Sequence, residues 1–374
     1  MNTTRNTKIT TRLAGAAAAL ALVAGACGSD DDAADDTPVE SDAPADTSGG
    51  DTMDTEAPMD TEAMGTEAPA DGDASSGSTC DTAPAVGGTV ASLSELDFSG
   101  LDVNVGSKDF VEQFVLGSIL VVALEETGAT VTDNTNLGGT VVNREALLAD
   151  EIDTYWEYNG TGYAVHLGIS DDVPGESEVL TTETCATDLE QNNIRWIGQT
   201  PFNDTYGFAT GPDFEGGQDF DLQGMADYLG ENQDATVCLE TEFPNRPDGL
   251  VLFEDATGYV VPQDQLEILE TGVIYEQTAT GECDFGEIFT TDGRIPALEL
   301  NVVEDPGVFI IYNASLTMGD ALYQENPEGW QQLVNTIVAP LDADTMAELN
   351  RQVSADGEQP IDVARTYLTD QGLI

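Results

Sequence analysis

Basic residues are scarce in this chain. Its 374 residues contain ten Lys and Arg and one His against 71 Asp and Glu, so the formal charge is −61. Nucleic acids bind proteins through patches of Lys and Arg, and a surface this acidic repels a phosphate backbone. We therefore exclude nucleic acid as a partner.

Catalytic, nucleotide-binding and metal-binding signatures are missing as well. His166 lies in Tyr163-Ala-Val-His-Leu-Gly168 with no nucleophile motif beside it, so a Ser-His-Asp triad has weak support and we predict a structural histidine. No phosphate-binding loop Gly-x-x-x-x-Gly-Lys is present. No Cys-x-x-Cys or Cys/His spacing predicts a metal site. The sequence predicts neither an enzyme nor a bound cofactor.

Long apolar runs are absent after the N-terminus, where a secretory signal is predicted. Three basic residues precede an apolar run from Leu13 to Ala24, which is too short to cross a hydrocarbon core of about 30 Å. Ala24-Gly-Ala-Cys27 resembles the bacterial lipoprotein box, with Ala24 where Leu is usual. We predict a signal peptide over residues 1–26 and acylation of Cys27, which would anchor the protein by lipid to the outer face of the cell membrane. The alternative is conventional cleavage that leaves Cys27 as a spare thiol.

The composition of residues 27–80 predicts a disordered tether. Residues 28–79 hold 16 acids and no aromatic residue, Lys or Arg. Such a segment cannot bury enough apolar surface to offset the entropy lost on ordering. Repulsion between its charges extends it, so it can hold a domain away from a membrane.

The remaining chain carries 55 of the 71 acids and seven bases, and its length suits two lobes of ordinary size. Four cysteines remain besides Cys27, and an even number in an exported protein predicts disulfides. Cys238 and Cys283 fall in predicted strands of one region, so we pair them with each other and Cys80 with Cys185. The other pairings stay open, because connectivity cannot be read from sequence alone.

Strands and helices alternate through the first half of this part. Strands are predicted at 101–106, 129–131, 152–155 and 194–198, with helices over 111–127 and from an N-cap at Thr140 through Ala149. This alternation predicts an α/β fold with a mostly parallel sheet flanked by helices. Ligands of such sheets lie at the carboxyl ends of the strands, where Lys108 and the segment Glu157–Thr161 fall.

Two features mark that edge of the sheet. Lys108 is the only Lys after the signal, in a domain crowded with acids, which favours an anion-binding role over a surface charge. The stretch Asp153-Thr-Tyr-Trp-Glu-Tyr-Asn-Gly-Thr161 brings three aromatic rings and a hydroxyl together and could wall a pocket for a cation. We expect Tyr155 and Trp156 to pack in the core or at the rim of the pocket.

The pattern starts afresh after residue 200. We predict helices at 222–229, 249–255, 263–269, 318–325, 329–338, 344–352 and 361–370, and strands at 236–240 and ending at 287–292. Two lobes joined by crossings near 200–208 and 300–310 would explain this order. We assign 81–203 to lobe 1, 204–303 to lobe 2, and 304–374 to the return into lobe 1.

Five motifs then occur in order along this part: Val105-Gly-Ser-Lys-Asp-Phe-Val-Glu-Gln113, Asn136-Leu-Gly-Gly-Thr140, Glu157-Tyr-Asn-Gly-Thr161, Glu242-Phe-Pro-Asn-Arg-Pro-Asp-Gly-Leu250 and Thr290-Thr-Asp-Gly-Arg294. Together they resemble the glycine betaine/choline-binding proteins of osmoprotectant ABC transporters, from about residue 101 to the C-terminus. The resemblance implies a two-lobed periplasmic-binding-protein fold of type II that closes on a quaternary ammonium solute.

The resemblance also implies a set of site residues. An aromatic box for the trimethylammonium group would comprise Tyr158, Tyr206, Phe289 and Tyr312, with Asp204 near the cation. The ligand carboxylate would be held by Lys108, Thr161 and Arg246. Phe289 departs from the Tyr that is frequent in the family, so the ring face is kept and the hydroxyl is lost. Separate permease and ATPase subunits are the implied partners, because the chain has neither a nucleotide-binding loop nor a span after the signal.

Rival functions stay open at this point. Another binding protein of the same kind would take choline, carnitine or a cationic amino acid. Choline has no carboxylate and would leave Lys108 and Arg246 idle, whereas a primary amine would want an acid such as Asp204 near the cage. A surface protein without a transport role would bind no small ligand.

Overall fold

Residues 88–374 are described by the computed structural model. The predicted signal peptide, the tether, Cys27 and Cys80 lie outside the described residues. Within residues 88–374, no helix is both long enough and apolar enough to cross a membrane.

The first sheet is built from strands at the two ends of the described chain. Its order is β2-β1-β3-β10-β4. The bounds are β1 Asp102–Gly106, β2 Thr130–Asn134, β3 Thr154–Tyr158, β4 Ile194–Ile197 and β10 Ala314–Gly319.

The second sheet is built from the middle of the chain, in the order β7-β6-β8-β5-β9. The bounds are β5 Tyr206–Thr210, β6 Val237–Leu239, β7 Leu266–Ile268, β8 Phe285–Phe289 and β9 Asn301–Val302.

Each sheet contains one reversed strand. Strand β10 is antiparallel to both β3 and β4, and β5 is antiparallel to both β8 and β9, while the remaining pairs are parallel. Four strands of every five therefore run the same way. The reversed strand is in each case the first strand after the chain crosses from the other sheet.

Helices flank both sheets. Their bounds are α1 Val111–Glu126, α2 Thr140–Leu148, α3 Asn159–Thr161, α4 Ser177–Asn192, α5 Leu222–Glu231, α6 Leu250–Thr257, α7 Thr271–Thr280, α8 Arg294–Ala297, α9 Asp320–Glu325, α10 Pro327–Val338, α11 Ala343–Ser354 and α12 Pro360–Asp370. Three short 3-10 turns, at 93–95, 217–219 and 243–245, and a π-helical turn over 162–166 complete the secondary structure of the described residues.

Helix α1 is buried on almost all sides. Its apolar residues surround the helix instead of forming one stripe, as expected for a helix covered by neighbours on every side. It packs between sheet 1 and the C-terminal helices α10, α11 and α12. The return of the chain into lobe 1 thus completes the core around the first helix.

Two segments join the sheets, residues 198–205 and 303–313, and the boundaries predicted at 203/204 and 303/304 fall within them. They lie side by side. The Asp204 N–H donates to the Tyr312 carbonyl at 3.0 Å, and the Tyr312 N–H donates to Asn203 Oδ1 at 2.6 Å. The Thr205 hydroxyl donates to the Ile310 carbonyl at 2.8 Å. The crossings are therefore a paired hinge and not two independent loops.

Several predicted elements were wrong or missing. Residues 263–269 form strand β7 and its flanks instead of a helix, because a short apolar run fits either structure until its neighbours are known. Strand β10 was not predicted: it is almost wholly buried, so no polar face alternates along it. Helices α4 and α7 were also missed; α7 carries Gly and β-branched residues that weaken the helical signal. Helix α2 has Gly139 and not Thr140 at its N-cap.

Disulfide-bonded cysteines occur in both lobes. Cys238 and Cys283 are joined by a disulfide, with their Cα atoms 5.9 Å apart, which links β6 to the entry of β8. Cys185 in α4 is buried and disulfide-bonded. Its predicted partner Cys80 lies outside the described residues, so that pairing stays a prediction.

Candidate functional site

A cavity of about 170 Å³ lies between the two sheets, beside the paired crossings. Cavities of roughly this size accept a molecule as large as benzene. All eight residues predicted for the site line it. They are Lys108, Tyr158, Thr161, Asp204, Tyr206, Arg246, Phe289 and Tyr312.

Part of the wall is a continuous arc of aromatic rings. Tyr158 stacks on Phe110 with ring centroids 6.1 Å apart, and Phe110 lies 5.2 Å from Phe289. Phe289 lies 5.5 Å from Tyr206, which meets Tyr312 edge-on at 5.3 Å. Each lobe and the hinge contribute rings, so the arc is complete only when the lobes are together.

The end of β3 sets the position of two of these rings. Tyr158 is the last residue of the strand, and Asn159 then pairs with Asn313 through two backbone N–H donors: Asn159 N–H to the Asn313 carbonyl and Asn313 N–H to Asn159 Oδ1. Gly160 lets the hinge approach, because a Cβ there would lie 2.5 Å from the Ile311 carbonyl oxygen and 2.9 Å from the Tyr312 ring. A side chain at residue 160 would therefore displace a wall of the cavity.

Asp204 supplies the carboxyl group beside the arc. It is 5% exposed and accepts hydrogen bonds from the Thr291 N–H at 3.2 Å and from the Thr291 hydroxyl at 2.6 Å. Burial is the largest cause of a pKa raised to about 6, and the charge of Asp292 raises it further. Above that pH, Asp204 is a buried anion facing aromatic rings, which is an environment suited to a cation.

Arg246 lines the cavity and spans the cleft. Its Nε and Nη2 atoms donate to both oxygens of Asp248, at 2.9 and 2.7 Å, in a planar fork. Its Nη atoms also donate to the hydroxyls of Thr140 at 3.2 Å and Thr161 at 3.1 Å, both in lobe 1. The Tyr312 hydroxyl completes the group by donating to Asp248 at 2.9 Å.

Lys108 lines the cavity but is already paired. Its Nζ lies 2.5 Å from Oε1 of Glu157 and 5.3 Å from the centroid of the Tyr158 ring. Glu157 also accepts from the Tyr155 hydroxyl at 3.0 Å and contacts His166 Nε2 at 2.8 Å. Burial pushes the pKa of Glu157 upward, but the charge of Lys108 and the contact with His166 outweigh it, so the pKa lies well below its ordinary value.

His166 therefore belongs to a buried network behind the cavity and does not line it. Tyr155 and Trp156 are fully buried. The Trp156 indole donates to the Leu116 carbonyl at 3.0 Å. Both are core residues, which is the first of the two placements expected for them.

Glu242 closes the cavity from lobe 2. Its Oε1 accepts the Thr140 N–H at 3.0 Å, at the N-terminus of α2 in lobe 1, where the helix dipole favours a negative charge. A Cβ on Gly139 would lie 2.3 Å from this oxygen, so the Gly138-Gly139 pair leaves room for the carboxylate. Glu240 lies next to it, and burial, with the charge of Glu242, raises the pKa of Glu240.

The sequence missed several residues that line or support the cavity. Phe110, Thr140 and Glu242 fall inside the quoted motifs and could have been found there. Glu112 and Asp248 also lie in those motifs, directly behind the lining. Among the described residues, no group of His, Cys, Asp and Glu has an arrangement that could hold a metal ion.

Comparisons with known proteins identify a family of substrate-binding proteins, which agrees with a cavity enclosed between two lobes. The family model for the substrate binding domain of the ABC-type glycine betaine transport system matches residues 102–370. The glycine betaine-binding protein YehZ of Escherichia coli (strain K12) is 31% identical, over 72% of this chain and 90% of its own length. A glycine-betaine-binding protein of Pseudomonas aeruginosa is 28% identical, over 73% of this chain and 88% of its own length.

The fold has solved counterparts as well. The structure of apo YehZ from Escherichia coli aligns with a TM-score of 0.53 at 31% sequence identity. The alignment covers 73% of this chain and 99% of that one.

Proposed function

We propose, from the premise that this chain belongs to the family of substrate-binding domains of ABC-type glycine betaine transport systems, that its interlobe cavity holds glycine betaine or a close quaternary ammonium analogue. Members of this family capture a solute for an ABC importer and are not enzymes. The protein is accordingly an extracytoplasmic solute-binding subunit with a two-lobed α/β fold.

The aromatic arc with Asp204 supports binding of the trimethylammonium group, and this juxtaposition is the observation that carries the proposal. A quaternary ammonium has no N–H to donate, so only shape, ring faces and a nearby negative charge can recognise it. Each ring contact contributes about 0.5 to 2 kcal/mol, depending on desolvation. Tyr158, Tyr206, Phe289 and Tyr312, with Phe110 added from the structure, are the rings we assign to this role.

Arg246, Thr161 and Lys108 are the groups we assign to the ligand carboxylate. Arg246 faces the cavity with Nη atoms that donate to hydroxyls of lobe 1 and, more distantly, to Glu242 Oε2 at 3.4 Å. A ligand carboxylate accepts such donors with charge-assisted strength. Lys108 is bound to Glu157. Its positive charge would attract the ligand carboxylate, and an ammonium N–H that does not donate to Glu157 would be free to donate to the ligand. Arg246 is therefore the principal carboxylate partner and Lys108 the secondary one.

Closure follows from where these groups reside. Tyr158 and Thr161 come from lobe 1, Tyr206 and Arg246 from lobe 2, and Asp204 and Tyr312 from the hinge. A solute that contacts all three binds the closed form better than the open form, so it shifts the population toward closure. The permease and ATPase that would receive the solute are separate subunits, and acylation of Cys27 is the anchorage we propose.

A titration separates these assignments from their rivals. We expect saturable heat when purified protein is titrated with glycine betaine or proline betaine, and weaker binding of choline, which lacks the carboxylate. Tyr158→Ala should abolish betaine binding, while Tyr259→Ala, an aromatic outside the cavity, should leave it unchanged. If none of these solutes produces heat, the site serves another ligand. If choline binds as tightly as betaine, the carboxylate subsite is wrong.

A further inference from the structure

The hydroxyl of Thr291 lies between two buried carboxyl groups. Its Oγ1 is 2.5 Å from Oε2 of Glu112 and 2.6 Å from Oδ1 of Asp204. All three side chains are buried, with residue exposures of 3 to 5%. Glu112 is in helix α1 of lobe 1, Thr291 is in lobe 2 and Asp204 is in the hinge, so three parts of the fold meet at one oxygen.

The number of protons in this group follows from its distances. A hydroxyl carries one proton and can donate it to one acceptor. Two O···O separations of hydrogen-bond length need two protons. An ionised carboxylate can only accept, so the second proton must come from one of the carboxyl groups. One of the two acids is therefore neutral, and Thr291 donates to the other.

Their surroundings indicate which acid is neutral. Burial, followed by the charge of Asp204, raises the pKa of Glu112 well above its ordinary value, whereas that of Asp204 is raised only to about 6. Asp204 borders the cavity, whereas Glu112 lies behind its lining. The Tyr158 hydroxyl and the Asn350 amide donate to Glu112, and a neutral carboxyl keeps enough lone pairs to accept both. The ionisable groups facing the pair from the neighbouring elements are Tyr158 on β3, Tyr275 on α7, Asp292, and Arg294 on α8, which is bound to Asp292.

We propose that Glu112 is a positioning residue of the cation site: it stays neutral and donates a hydrogen bond to the Thr291 hydroxyl, which in turn donates to a charged Asp204. We further propose that cation binding expels the proton that Asp204 takes up in acid. This inference rests on the proposed function for its second half only. The first half concerns the free protein.

Glu112 affects the site through its charge and through two contacts. The cage presents one negative charge to the ligand instead of two, which matches the single charge of a quaternary ammonium. The Tyr158 hydroxyl donates to Glu112 Oε1 at 2.8 Å, so the same carboxyl fixes the first ring of the arc. Asn350 of α11 donates to Glu112 Oε2 at 3.2 Å and to the Thr291 carbonyl at 3.0 Å, so the group also holds lobe 1 against lobe 2.

The proton can be observed without any ligand. In infrared spectra of the free protein at pH 7.5, we expect the carbonyl band of a protonated carboxyl, with a component that disappears in Glu112→Gln and persists in Asp204→Asn. Glu287 is another buried acid with a raised pKa, and the difference between wild type and Glu112→Gln removes its band. A component lost in Asp204→Asn but kept in Glu112→Gln would overturn the assignment, as would a difference spectrum without such a band.

Ligand titration tests the predicted release of a proton from Asp204. At pH 7.5, Glu112→Gln should weaken betaine binding less than Asp204→Asn does, because glutamine keeps a neutral donor to Thr291, while Asp204→Asn should weaken it more than tenfold. Wild-type affinity should be flat above pH 7 and about tenfold weaker at pH 5, with one proton released per betaine bound near pH 5 in buffers of different ionisation enthalpy. Equal losses in both variants, or a pH-independent Kd, would refute it. If no betaine binds at all, the proposed function fails and the infrared result alone decides Glu112.

Discussion

Replacing Arg246 by Met tests whether its guanidinium binds the ligand or only organises the protein. The side chain is 7% exposed and bound by a two-hydrogen-bond fork to Asp248, which is 2% exposed. Removing one partner of a buried ion pair costs about 3 to 5 kcal/mol of stability, because the other charge is left buried. We expect a loss near the lower value, since the Tyr312 hydroxyl still donates to Asp248.

The effect on affinity should be separable from the effect on stability. Hydrogen bonds to charged groups contribute about 1.5 to 3 kcal/mol each, so losing one such bond to a ligand carboxylate raises Kd by roughly 10- to 150-fold. The double variant Arg246→Met/Asp248→Asn removes the unpaired charge. It should recover most of the stability and none of the betaine affinity.

Arg294 and Asp292 provide a matched control. They form the same fork, with Arg294 Nε and Nη2 donating to the two Asp292 oxygens at 2.9 and 2.5 Å, and both residues are buried. Neither lines the main cavity. Arg294→Met should cost similar stability, and Arg294→Met/Asp292→Asn, which leaves no unpaired charge beside Asp204, should change the betaine Kd by less than about threefold, as measured by urea unfolding and calorimetry. The reasoning fails if the Arg246/Asp248 double variant regains betaine affinity together with its stability, because the guanidinium would then act only as a scaffold.

Four further outcomes can be measured. Lys108→Met should destabilise the protein by removing the cation that is bound to buried Glu157, and Glu157→Gln in the same chain should restore stability while betaine affinity stays reduced. Phe289→Tyr restores the ring that the family more often has and should alter the ratio of betaine to choline affinity, with the betaine Kd itself changing less than tenfold. Cys238→Ser should lower unfolding stability by about 2 to 5 kcal/mol, and addition of Cys283→Ser should cost little more because the bond is already lost. The unfolding midpoint should rise as sodium chloride increases from about 0.1 to 1 M, because salt screens repulsion among surface acids; a falling or flat midpoint would show that this repulsion is unimportant.

Four of the eight predicted site residues lie in the quoted motifs: Lys108, Tyr158, Thr161 and Arg246. Each motif lies at or just after the end of a strand, so residues far apart in sequence, such as Lys108 and Arg246, were placed in one site before their contacts were known. The assignment of these residues to one site came from the resemblance to a family, because composition and periodicity alone predicted only an α/β fold and a cluster of aromatic residues. The strand ends, in contrast, were off by two or three residues at β3, which moved Tyr158 from the loop into the strand.

What could not be predicted depends on contacts across the whole chain. Glu112 stands in a quoted motif, yet its role appears only when Thr291 and Asn350, 179 and 238 residues away, are seen to share it. The pairing of Lys108 with Glu157 is equally invisible, because nothing in the motif distinguishes an acid that neutralises the lysine from one that faces solvent. Strand β10 was missed for a related reason: its burial is decided by strands on both sides.

Scarcity of bases proved a weaker guide than it first seemed. Lys108 was singled out because it is the only Lys in the acidic part, but five of the seven bases there are buried and each is bound to an acid. In a chain this acidic, a Lys or Arg is needed wherever a carboxylate would otherwise be buried without a counter-charge. This need explains the presence of a buried base without any ligand. What separates Lys108 and Arg246 from the other three is their position on the cavity wall. A rare Lys or Arg in an acidic chain therefore indicates a buried carboxylate partner. It indicates a binding site only where that ion pair borders a cavity that a solute can enter.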